Sequence, residues 1–230
     1  MPSYSIVSAK GETDHVTVIV GPEARKYVIH KTFLSHYSEY FDNALNGSWE
    51  EAEDRTIALD DIEPRTFDFF VDWLYSQNLP ATDEDWSVVT ETKRLRDLSI
   101  VKVCAFGDRF MVPKLLQDAN NHYIDTWISS MHPPSYNTVI YAFDNLRTDI
   151  RLLEFLVDTH CAFWKRDHDD LNEAQKAQQC QLPNEFLVRV MYRYSELKDT
   201  GKDGKDLDRS SYHEHSSHEE REGCCLQIQW

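Results

Sequence analysis

No stretch of the 230 residues approaches eighteen consecutive apolar side chains, so the sequence predicts no helix that crosses a membrane. The opening MPSYSIVSAKGE lacks a basic start and a long apolar run, which predicts no secretory leader. Positive charge is scarce: 24 Lys and Arg face 40 Asp and Glu, for a formal net charge of −16. A surface of that sign repels nucleic-acid phosphates and anionic lipid. Neither nucleic acid nor a membrane is expected as a partner. The five cysteines, Cys104, Cys161, Cys180, Cys224 and Cys225, include no Cys-x-x-Cys pair and form no regular framework. They read as free thiols of a reducing compartment, the cytosol or nucleus. Glycine-rich phosphate loops, His-Glu-x-x-His and Gly-x-Ser-x-Gly are missing. Adjacent acids such as Asp60-Asp61 and Asp169-Asp170 are unlike the opposed carboxylates of glycosidases. No enzyme activity and no cofactor are expected.

What is present begins at Asp14. Val16, Val18 and Val20 recur at every second position of a β-branched run, the period of a strand with one buried face. Gly21-Pro22-Glu23 supplies a turn, and Tyr27-Val28-Ile29 a second strand to pair with the first. After His30-Lys31, the spacing of Leu34, Tyr37, Phe41 and Ala44/Leu45 makes one apolar helix face. Thr56 to Leu59 reads as a third strand. Pro64 suits the first turn of a helix whose stripe is Phe67, Phe70, Val71 and Leu74, with Phe69 and Trp73 beside it. So wide an apolar face predicts burial. Pro80, a run of acids and mixed charges predict a solvated excursion over residues 81–97. Two more helices follow, one carrying Leu98, Val101 and Ala105, the other starting at Pro113 and carrying Leu116, Ala119, Tyr123 and Trp127.

Several of these segments together resemble a BTB/POZ domain: Asp14 with Val16 to Val20, Ile29-His30-Lys31 with Leu34 and Tyr40-Phe41, Thr56 to Leu59 with Asp60-Asp61, and Phe67 to Tyr75. The resemblance implies an α+β fold over residues 13–129, a small three-stranded sheet packed on a helical cluster. It implies a protein-interaction module that self-associates or docks on a cullin-type ubiquitin-ligase scaffold. The short segment 1–12 leaves no room for a helix of useful length before the hairpin. It therefore implies the short form of the family, resembling fungal-type BTB-domain proteins, with a weak homodimer or none. By the same resemblance Asp14, His30 and Lys31 form a structural corner, with Asp14 and Lys31 as a charged pair. Tyr75, Phe110 and Met111 are candidate partner contacts, completion of the core being the open alternative for each.

His132-Pro133-Pro134 marks a boundary. A helical extension is expected over residues 130–197: Val139, Ile140 and Phe143, then a helix capped by Thr148 and carrying Ile150, Leu153 and Leu156, then one capped by Asn184 and carrying Phe186, Val190 and Leu197. From Lys198 the charged, Ser- and Gly-bearing tail predicts disorder to residue 230. His160, Cys161, His168 and Cys180 contain zinc-ligating atoms at unsuitable spacing, and His213, His215 and His218 lack a framework around them, so no metal site is expected. Three functions stay open: an adaptor bridging a cullin-type scaffold or another large partner to a target, a self-associating scaffold, and a folded module of no specific partner class.

Overall fold

The computed structural model describes residues 14–47, 54–80, 86, 93–128, 131–166, 173–215 and 217–226. The chain divides into two compact units, residues 1–78 with 109–114, and residues 79–108 with 115–230. The expected α+β architecture, a three-stranded sheet with a helical cluster and a helical extension, is present.

In the first unit, β1 (His15–Val20) and β2 (Arg25–His30) form an antiparallel hairpin in the register His15↔His30 to Val20↔Arg25. Gly21 adopts φ +73° in the turn, and a Cβ there would lie 3.0 Å from the Pro64 ring, so glycine serves both the backbone angle and the close approach. Val16, Val18 and Val20 are buried, as their alternation requires. β3 (Thr56–Leu59) pairs parallel to β1, giving the order β2-β1-β3. A parallel pair needs a crossover, and α1 (Lys31–Tyr37) and α2 (Glu39–Asn46) lie within it. The Ser38 hydroxyl separates these helices, accepting from the Phe41 amide at 3.0 Å and donating to the Phe110 carbonyl at 2.6 Å. α3 (Pro64–Ser76) has Pro64 in its first turn and ends at Gln77 in a left-handed conformation. Phe67, Phe69, Phe70, Trp73 and Leu74 are all buried. Tyr27 packs edge-on against Phe67, and its hydroxyl donates to Asp68 at 2.8 Å. Burial together with that bond raises the Tyr27 pKa.

The second unit contains most of α4 (Lys93–Arg109) and α5 (Pro113–Ile128), then α6 (Tyr136–Asn145), α7 (Arg151–Phe163), α8 (Glu173–Gln179), α9 (Asn184–Thr200), α10 (Arg209–Tyr212) and α11 (His218–Leu226). Gly107 lets α4 meet α5 closely, since a Cβ there would come 2.8 Å from the Leu116 backbone nitrogen. α7 is buried at almost every position from Leu152 to Ala162. Its Val157 and Cys161 pack with Val139 of α6 and Phe186, Val190 and Leu197 of α9. The caps differ slightly from expectation: Ile150 and Pro183 precede α7 and α9, in place of Thr148 and Asn184.

Two sequence expectations are overturned here. Residues 81–97 are not simply solvated. Trp86 is 1% exposed, donates from its indole to the Pro80 carbonyl at 2.8 Å and stacks on His122 of α5. Arg96 and Asp97 are buried as a pair in the first turns of α4. The remainder of 81–92 lies outside the described residues.

The tail expected to be disordered is folded through its described part. Tyr212 is 6% exposed, and its hydroxyl donates to Asp158 of α7 at 2.5 Å. α5 holds the tail by its backbone. Asn120 donates to the Tyr212 carbonyl, Asn121 donates to the Glu214 carbonyl and accepts from its amide, and Gln117 donates to that carbonyl and to the Glu220 carboxylate. Polar groups spaced three and four apart on α5 thereby satisfy a chain that offers few apolar side chains.

Candidate partner-binding surface

The corner expected around Asp14, His30 and Lys31 forms where β2 runs into α1. The Lys31 amide donates to the Asp14 carbonyl at 2.7 Å, and the Asp14 carboxylate receives the Thr32 hydroxyl. The Lys31 ammonium reaches the Leu45 carbonyl at 2.8 Å. Lys31 and Asp14 are thus tied through backbone, while their side chains turn to different partners, which corrects the expected charged pair. A lysine stem is long enough to cap the end of α2, and a carbonyl at a helix C-terminus is a favourable site for a cation.

His30 is half-buried and packs on His15 with ring centroids 4.3 Å apart. Its Nδ1 lies 2.9 Å from the Tyr75 hydroxyl, which also accepts from the His30 amide at 3.3 Å. Tyr75 stands edge-on to Phe33. It therefore ties the end of α3 to the corner while leaving 40% of its surface exposed.

Phe110 and Met111, adjacent in sequence, part company in space. Phe110 is 1% exposed, stacked on Phe41 with planes 5° apart and met edge-on by Tyr40. Its expected place as a partner contact is corrected: the ring completes the core. Met111 is 52% exposed and holds φ +50°, a region that a non-glycine residue occupies only under constraint. The constraint is visible. Ser38 holds the Phe110 carbonyl, and the Met111 carbonyl accepts from the Glu39 amide at 3.4 Å. Beside this turn Arg109 forms a two-armed contact with Asp61, whose carboxyl it holds below the ordinary range through those hydrogen bonds.

Tyr40, 39% exposed on α2 beside Phe110, belongs to the resemblance but is not among the contacts expected from the sequence. The buried positions Phe41 and Leu45 could have revealed it, because they turn Tyr40 toward the helix edge.

His160 packs against Trp164 and Phe186, and burial pushes the Cys161 thiol up to about 12. Cys180 is exposed, and His168 lies outside the described residues. Among the described residues no three His, Cys, Asp or Glu side chains are grouped to hold a metal ion, and no helix is long and apolar enough to cross a membrane.

The pattern of the BTB/POZ domain matches residues 8–126, just over half of the chain. The chain belongs to the BTB/POZ family. Domains of this family mediate protein–protein interaction and oligomerisation and are not catalytic. Among curated proteins, human Kelch repeat and BTB domain-containing protein 4 is 25% identical over 116 residues, covering 50% of this chain and 21% of its own length. Kelch-like protein 30, also human, is 32% identical over 90 residues, 39% of this chain and 15% of that protein. BTB and MATH domain-containing protein 15 of Caenorhabditis elegans is 33% identical over 69 residues, 30% of this chain and 24% of that protein. The matched region spans about a fifth of the length of these relatives.

Proposed function

We propose that this BTB/POZ protein is an adaptor, docking a large protein partner through its first unit and presenting a target by its helical extension. A cullin-type ubiquitin-ligase scaffold is the partner class favoured, in the cytosol or nucleus. One observation carries the reading: the Phe110–Met111 turn is anchored by Ser38 and by a buried ring on which exposed Tyr40 packs, and it projects an unburied methionine. A flexible thioether beside an aromatic ring suits an apolar helix face on a partner. Tyr75 joins the candidate contacts, while Phe110 supports them from within.

The test is capture of a purified cullin-type scaffold by the full chain. Met111→Asp should reduce capture at least about tenfold, the equivalent of ~1.4 kcal/mol, with circular dichroism unchanged. Undiminished capture by a folded variant, or no capture by the parent chain, would sink the cullin reading. Self-association is the second reading, and Val28 favours it: this residue is 69% exposed on β2, which among the described residues is an edge strand of the sheet. Exposed apolar edges invite pairing. Light scattering distinguishes the two. The adaptor reading expects a monomer at low micromolar concentration, and a stable dimer moves the assignment to a self-associating scaffold.

A further inference from the structure

The folded tail brings together three groups that the adaptor role does not use. His213, 8% exposed just after α10, has its Nε2 3.0 Å from Oδ1 of Asp125 on α5 and its Nδ1 3.4 Å from Sγ of Cys224 on α11. Carboxylate, imidazole and thiol stand in line. A carboxylate on Nε2 holds the proton there and turns the Nδ1 lone pair toward the sulfur, the arrangement by which an imidazole withdraws a proton from a nucleophile. The ring has little freedom, since the His213 amide bonds the Arg209 carbonyl and Asn121 grips the next residue, Glu214, at both backbone groups. His213 also lines a cavity of about 400 Å³ together with Arg151, His215 and Arg221, which is room for a small molecule.

We propose that Cys224 is a nucleophilic thiol, activated by His213 and oriented by Asp125, and that it takes small-molecule disulfides and other soft electrophiles. In the exchange, the Cys224 proton moves to Nδ1 of His213 and Sγ attacks one sulfur of a disulfide R–S–S–R. The Sγ–S bond forms as the S–S bond breaks. The departing thiolate takes the proton from His213 and leaves as R–SH. Cys224 is oxidised to a mixed disulfide, half of the disulfide is reduced to a thiol, and no further oxidant is needed. The other described cysteines lack the arrangement. Cys104 and Cys161 are buried, and burial raises both thiols. Cys180 is exposed and serves as an internal reference.

The charged and titratable groups facing His213 set how far this goes. Asp125 lies on Nε2 and Asp208 faces the same ring, Arg209 shares Oδ1 of Asp125 at 3.1 Å, the His215 ring stands 6.2 Å away, and Arg151 and Arg221 line the adjoining cavity.

The experiment is pulsed alkylation of the full reduced chain with iodoacetamide between pH 5.5 and 9, read by peptide mapping that separates Cys224 from Cys225. An ordinary thiol, with a pKa of about 8.5, retains about 1% of its limiting rate at pH 6.5. Cys224 should retain about a third or more and should form the mixed disulfide with bis(2-hydroxyethyl) disulfide ahead of Cys180. His213→Gln should return Cys224 to an ordinary thiol profile, and Asp125→Asn should slow it several-fold at pH 6.5. A Cys224 profile matching that of Cys180, or an unchanged rate in folded His213→Gln, would overturn the proposal. Should His213→Gln fail to fold, the profile of the parent chain decides by itself.

Discussion

The hairpin-to-α3 unit and the tail beyond α9 are both folded through their described residues, but by different means. In the first, Val16, Val18, Val20, Phe41, Phe67, Phe70 and Trp73 leave water together, and removal of apolar area supplies the stabilisation. In the second, Tyr212 is the one large buried apolar anchor among the described residues, and Gln117, Asn120, Asn121 and Asp158 hold the chain through hydrogen bonds. Burial by area announces itself as periodicity in the segment being buried. Order imposed by a neighbour's amides leaves its mark on the neighbour instead.

The largest expected effect tests the apolar half of that contrast. Trp73 is fully buried in α3 and edge-on to Tyr37. Trp73→Ala should cost about 3–5 kcal/mol of unfolding free energy, measured by urea denaturation. A loss below about 1 kcal/mol would mean that the first unit is not held by its aromatic core.

A smaller effect is expected from the polar half. Asn120 is wholly buried, and its amide donates to the Tyr212 carbonyl at 3.0 Å. Asn120→Ala leaves that carbonyl without its donor and should cost about 1–3 kcal/mol. Hydrogen exchange of the amides from Ser210 to Glu214 should accelerate, while those of β1 stay protected. Unchanged exchange in the tail would break the comparison, since the tail would then be held by something other than α5.

The difference in mechanism also decides what could be read from the sequence. The alternation at Val16 to Val20 and the wide stripe of α3 carry their own burial, and the sheet, α3 and the packing of α7 on α9 follow from such patterns, whereas the single helix face read through Leu34 to Leu45 is broken at Ser38 into α1 and α2. Trp86 was legible as an aromatic but sits among acids and polar residues, so its local composition argued for water. Its burial is decided by Pro80 and His122, the second of them 36 residues away in α5. The tail is the same case at greater length: Asn120-Asn121 on α5 gives no periodicity to residues 212–214. At the candidate surface, Tyr75 and Met111 were identifiable by type, yet the burial of Phe110 beside an exposed Met111 depends on a left-handed backbone at residue 111, which no side-chain pattern specifies.

The smallest expected effect is a drift with pH, and it asks whether the polar junction of the tail stabilises or merely specifies. Asp158 lies buried on α7, accepting the Tyr212 hydroxyl and standing 2.8 Å from Nε of Arg193. Burial raises its pKa above the ordinary 3.8, with the Tyr212 bond and the Arg193 charge opposing that rise. An acid whose pKa is raised on folding binds its proton more tightly in the native state than in the unfolded chain. Stability then falls as pH rises from about 4 through the raised value, and it levels off above it. Asn at position 158 still accepts from Tyr212 but does not titrate. The stability of the parent chain relative to Asp158→Asn should therefore decline across that window, as read from paired urea titrations between pH 4 and 7. A difference that grows with pH would reverse the assignment: Arg193 and Tyr212 would then outweigh the desolvation of the carboxylate, and the ionic junction would be a source of stability for the tail as the aromatic core is for the first unit.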